Sequence, residues 1–169
     1  MDTDALQDSV ATPLPTAAGT GGTVTHWQDV FDDSETLFAE LTDGARMGLI
    51  AQPGFAPGGR RLAGLEAAAA KCAGMPMLAF DAAAGRIAVT LESFESFALA
   101  GLDLLFVADE EARGELAATP PAATLRAMKR LIRRGNVMFF VFRTRHELQD
   151  AGYEDFLDSL GLAFLGACR

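Results

Sequence analysis

Val137-Met138-Phe139-Phe140-Val141-Phe142 carries no polar side chain and no alternation, the pattern of a strand buried on both faces. Each such side chain contributes roughly 1.5–3 kcal/mol when fully buried. The run is therefore expected at the centre of a sheet, as a strand over about 136–143. Just before it, Leu125, Met128, Leu131 and Ile132 recur at helical spacing between Thr124 and Arg134. Thr119-Pro120-Pro121 suits the start of that helix and Gly135 its end.

Other elements follow from the same patterns. Met47 to Gln52 predicts a short strand, and Met77–Phe80 with Ile87–Leu91 predict a hairpin across a four- or five-residue connection opened by Asp81. Leu104 to Val107 reads as a third strand, with Asp109-Glu110-Glu111 suited to the first turn of a short helix. Asp33 or Ser34 is expected to cap a helix running to about Asp43, with Trp27 as a lid on the core. A helix from Leu62 to Ala73 stops at Gly74 and Pro76, and Glu147 to Leu160 holds one or two helices broken near Gly152. Ser93 to Ala100 fits neither period, and Leu162 to Ala167 suggests a last edge strand.

Residues 1–25 are rich in Pro, Gly and Thr without hydrophobic period, and predict a flexible N-terminal tail. Residues 26–169 then make a single α+β domain. Its expected architecture is a mainly antiparallel sheet of about four or five strands packed by four or five helices.

Composition narrows the class. With 169 residues the chain can build a core without disulfides or metal, and its two cysteines lack framework spacing. No apolar run approaches the length of a membrane span, and the acidic start is unlike a signal peptide, so the cytoplasm is the expected location. Net charge is −9, yet seven of the 14 Lys and Arg residues fall between Arg126 and Arg145, where no acid intervenes. Arg126, Lys129, Arg130, Arg133, Arg134, Arg143, Arg145 and His146 are the candidate residues for binding an anion or a partner.

Catalytic patterns are weak. The loop Gly54 to Arg61 has P-loop glycine spacing at Gly54 and Gly59, but Arg60 and Arg61 replace the Lys and the hydroxyl residue, so a structural turn is expected. His26, Cys72, His146 and Cys168 are scattered singly, without metal spacing, and a Cys72–His146 dyad would have to form in space. Glu92 with Glu95, or Asp109 with Glu111, would need split pKa values to act as acid and base. No catalytic residue, metal or cofactor is assigned.

The stretch Gly74 through Val89 is similar to the first hairpin of type III secretion chaperones, which would imply a chaperone-like partner role. Strong acidity and 12 Phe among few other aromatics favour a non-enzymatic protein–protein interaction module, regulatory, adaptor or chaperone-like, with another protein or a second copy as partner. The alternative is a nucleic acid or small anion held on the basic helix, and a small enzyme ranks below both.

Overall fold

The computed structural model describes residues 18–51 and 72–162. The expected phosphate-type loop, most of the helix Leu62–Ala73 and the suggested last edge strand lie outside the described residues. In order, the elements are α1 (Ala18–Asp32), a 3₁₀ turn (Glu35–Phe38), β1 (Arg46–Ala51), β2 (Met75–Ala83), β3 (Arg86–Phe94), α2 (Phe97–Ala100), β4 (Leu104–Ala108), α3 (Glu110–Ala118), α4 (Pro121–Arg134), β5 (Val137–Val141), α5 (Arg145–Asp150) and α6 (Glu154–Ser159).

The five strands form one mixed sheet in the order β3-β2-β1-β4-β5. All neighbours are antiparallel except β1 and β4, which run parallel with Met47 opposite Leu104. The α+β class and the mainly antiparallel sheet are as expected. The place of the Val137–Phe142 run is not: among the described residues β5 is an edge strand, and β1 holds the centre. The run lacks alternation because its two sides meet two different apolar layers, not because strands flank it on both sides.

Alternate residues of each strand feed those layers. On the first face Leu49, Phe80, Leu104, Phe106 and Val137 pack with Trp27, Phe31, Phe38, Met128, Leu131 and Phe156 from the helices. Trp27 is 3% exposed and lies 5.4 Å from the ring of Phe80, so it is the expected core residue. The helix expected from Asp33 or Ser34 to Asp43 is instead α1, which ends at Asp32, followed by the single 3₁₀ turn. Burying Trp27, Val30 and Phe31 on one side of α1 outweighs the poor helix propensity of its Gly- and Thr-rich start. That helix takes in residues 18–25, which the sequence pattern places in the tail, and residues 1–17 lie outside the described residues.

The hairpin is tighter than its sequence suggested. Ala83 pairs with Arg86, leaving Ala84 and Gly85 as a two-residue turn with φ of +52° and +72°. These values fit the type I′ turn, whose twist matches the flanking strands. Asp43 accepts a hydrogen bond from the Ala84 N–H at 2.7 Å and anchors the turn. In the ambiguous segment, Ser96 caps the four residues of α2 by accepting from the Leu99 N–H.

Candidate functional site

The second face of the sheet is built differently from the first. Ile50, Met77, Ala79, Phe94, Leu105 and Val107 form its floor, with Cys72 and Leu102 buried among them. Around this floor Met75, Phe97, Met138, Phe140 and Phe142 are only partly buried. Leu99, beside Phe97 on α2, is 78% exposed. Gly48 in β1 lets side chains close over the middle of this floor: a Cβ there would lie 3.0 Å from both Leu102 Cδ1 and Met77 Sδ. Methionines and ring edges of this kind adapt their packing easily. The result, among the described residues, is a Met- and Phe-lined apolar face drawn from all five strands and α2.

One polar feature stands at its border. Arg46 precedes Gly48 by two residues on the same face, about 7 Å along the strand. Its guanidinium pairs with Asp81 at 2.9 Å and with Glu92 at 2.6 Å. Its Nε is buried and donates to nothing among the described residues. One cation held between two carboxylates presents no net positive charge at this border. A lone Arg at a strand start carries no motif, so the role of Arg46 shows only once its partners are placed in three dimensions.

Asp103 organises the opposite side of this strand end. It is 5% exposed, and its carboxylate accepts from the Arg46 N–H at 2.9 Å, Arg143 Nε at 2.7 Å and the Tyr153 hydroxyl at 2.9 Å. Burial, then the charge and hydrogen bond of Asp103, push the Tyr153 pKa far up, so the phenol stays a donor. The hydrogen bond to Asp103 likewise raises the Arg143 pKa. Thr144 and Glu147 close a reciprocal capping box on α5, and the hydrogen bonds from the Thr144 backbone and side chain hold the Glu147 carboxyl below its ordinary value.

The candidate cationic residues are therefore not gathered at one place. Arg133 and Arg134 precede Val137, at the end of β5 that pairs with Ala108. Arg143, Arg145 and His146 follow Val141, at the end that pairs with Leu104. The strand between them spans roughly 14 Å from Val137 to Val141. Arg143 already serves Asp103, and Arg130 pairs with Glu115. Lys129 and Arg133 lie over Gly161, where a Cβ would come within 2.8 Å of Lys129 Cε. Arg126 and Arg134 are exposed on α4.

The acid–base candidates have structural partners. Glu92 pairs with Arg46, Glu95 accepts from Ser93, and Asp109 caps α3 by accepting from the Ala112 N–H. Cys72 is buried on the second face and burial raises its pKa, whereas His146 is exposed on α5. Among the described residues no three His, Cys, Asp or Glu side chains converge as a metal site. No helix among them is long and apolar enough to cross a membrane.

No family model matches the chain, and no curated protein matches it. Among the solved structures similar to it at low identity are two that each cover most of this chain. One is a UbiJ-SCP2 ubiquinone synthesis protein, 14% identical, covering 92% of this chain and 100% of its own, with a TM-score of 0.42. The other is a conserved hypothetical protein from Thermus thermophilus, described as possibly a sterol carrier protein. It is 13% identical, covers 92% of this chain and 93% of its own, and has a TM-score of 0.41. Those names describe those two proteins.

Proposed function

We propose that the chain is a binding module that holds a neutral, largely apolar molecule of the lipid class on the second face of its sheet. The observation that carries this reading is the half-buried ring of Met75, Phe97, Met138, Phe140 and Phe142 around a closed apolar floor. Polarizable thioethers and aromatic edges suit a long hydrocarbon or ring system without demanding one shape. At the border of that face Asp81 and Glu92 neutralise Arg46, a pairing that disfavours an anionic head group.

The test is a fluorescence titration with a pyrene-labelled long-chain alkanol. Saturable binding with one probe per chain is expected, weakened at least tenfold in Phe140→Arg and in Met138→Lys. The corresponding carboxylate probe is expected to bind more weakly than the alkanol. Far-UV circular dichroism of both variants separates lost binding from lost fold. Absence of saturable binding, or equal affinity in both folded variants, would overturn the reading.

A second reading, the protein-docking module expected from composition, is favoured by a separate observation. Among the described residues the apolar strand β5 lies at a sheet edge, where Val141 is exposed.

A further inference from the structure

The outer face of α4 carries positive charge that the rest of the domain does not neutralise. Arg126, Lys129, Arg130 and Arg133 recur at the spacing that lines side chains along one side of a helix, and Arg134 borders them. Thr124, Ala127, Met128 and Leu131 bury the opposite side in the core. Arg130 pairs with Glu115. Among the described residues Arg126, Lys129, Arg133 and Arg134 form no ion pair. Like charges at this spacing repel one another, so the face favours an acidic partner.

Matching charge lies upstream in the same chain. Residues 1–17 include Asp2, Asp4 and Asp8 and no Lys or Arg. They lead directly into α1, which packs beside α4, with the Thr124 hydroxyl 3.4 Å from His26 Nε2. The two helices run in opposite directions. From His26, α1 descends to Phe31 against Phe80, and Glu35 beyond it meets Arg86 at the hairpin-turn end of the sheet. That end is where β1 and β4 begin, whereas α4 stops just before β5 begins at the other end. Ala18 precedes His26 by eight residues, and Ile132 follows Thr124 by eight, about 12 Å of helix each. The start of α1 therefore lies toward the end of α4 that carries Lys129, Arg133 and Arg134.

We propose that the basic face of α4 is a docking site for the acidic segment 1–17 of the same chain. Asp8 lies ten residues before Ala18, a stretch that can span up to about 33 Å. Arg126 and Arg134 are about 12 Å apart along the helix, so the whole face is within reach. Single exposed ion pairs stabilise little, and here three carboxylates meet four unpaired cations in a contact that salt screens. The docked segment is a built-in competitor: a nucleic acid or other polyanion must displace it to reach α4. Because α4 packs on the first face of the sheet, this docking is separate from any ligand on the second face.

Paramagnetic relaxation in the full chain tests the contact. A nitroxide is attached to the thiol of Ser9→Cys in a Cys168→Ser background, where Cys72 is buried. At an ionic strength of about 0.01 M, where charges act over about 30 Å, the amide signals of residues 126–134 are expected to broaden strongly. At about 1 M, where the range is about 3 Å, they are expected to recover. The triple variants Asp2→Asn, Asp4→Asn, Asp8→Asn and Arg126→Gln, Arg133→Gln, Arg134→Gln are each expected to lose most of the low-salt broadening, with the remaining amide spectrum reporting the fold. Absence of broadening along α4, broadening centred elsewhere, or broadening that survives in either triple variant would overturn the proposal. So would broadening that passes to an isotope-enriched, unlabelled copy mixed with the spin-labelled chain, because the segment would then dock on a second molecule.

Discussion

The Tyr153 hydroxyl donates to the buried carboxylate of Asp103 at 2.9 Å across 50 positions of sequence. That bond joins α6 to the start of β4, and the same carboxylate takes the Arg46 N–H of β1. A buried carboxylate with three donors is well served, and removing one donor leaves part of its desolvation uncompensated. Tyr153→Phe is therefore expected to cost about 1–3 kcal/mol, read by denaturant unfolding.

The same bond predicts an alkaline limit. The folded Tyr153 pKa is raised above its ordinary 10.0. Below that value both folded and unfolded chains hold the proton and the stabilisation is intact. Above it the unfolded chain loses the proton first, so stability falls as pH rises, by up to about 1.4 kcal/mol per pH unit. Because the chain has one Tyr, tyrosinate absorbance reports this residue alone. The absorbance is expected to rise only with unfolding, and Tyr153→Phe to lack this phase. Tyrosinate appearing in the folded protein near pH 10 would refute the assignment.

Gly152 tests the packing of α6 against the first turn of the domain. Its φ is +80°, and a Cβ would come 1.9 Å from the backbone oxygen of Glu40. Backbone cannot step aside as a flexible side chain can. Gly152→Ala is expected to lower stability by about 3 kcal/mol or more. At Gly161 the added Cβ meets only the side-chain ends of Lys129 and Arg133, so Gly161→Ala should cost less.

Ala84 sits at φ +52° in the two-residue turn, a conformation that disfavours a Cβ. Asparagine tolerates it better and is favoured in type I′ hairpins. Ala84→Asn is expected to stabilise the fold by about 0.5–1 kcal/mol, visible as a higher denaturation midpoint at unchanged slope.

Cys72 is predicted to be inert. Burial raises its pKa, so the reactive thiolate is scarce at neutral pH. In Cys168→Ser, labelling of the native protein by an aromatic disulfide should run at least tenfold slower than that of a model thiol. Faster labelling, or a rate that follows His146, would restore the dyad that the structure does not support.

Much of the fold was readable because periodicity reports which faces are buried. The helix before β5, the strand at Leu104 and the break at Gly152 all emerged from spacing and from Pro or Gly placement. Two readings failed for physical reasons. The Val137–Phe142 pattern measures apolar contact on both faces, and that says nothing about whether strands flank it in the plane of the sheet. The helix α1 begins among residues of poor propensity, and only tertiary burial of Trp27 and Phe31 justifies it. The second face was hinted at by the abundance of Phe, but it draws one to three residues from each of the five strands and Phe97 from α2, which no local window collects. Arg46 was invisible until its partners on β2 and β3 were placed.

The parallel seam between β1 and β4 also carries a kinetic consequence. Met47 and Leu104 meet across 57 positions, whereas β2 and β3 zip from a two-residue turn. Closing the long loop costs chain entropy before any of its contacts form, and such non-local pairings slow folding. The hairpin and the helix–strand unit of α4 and β5 can each form early from neighbouring residues. The central strand is then the meeting line of two locally assembled halves. Hydrogen-exchange labelling during refolding should find the amides along β1 and β4 protected after those of β2 and β3.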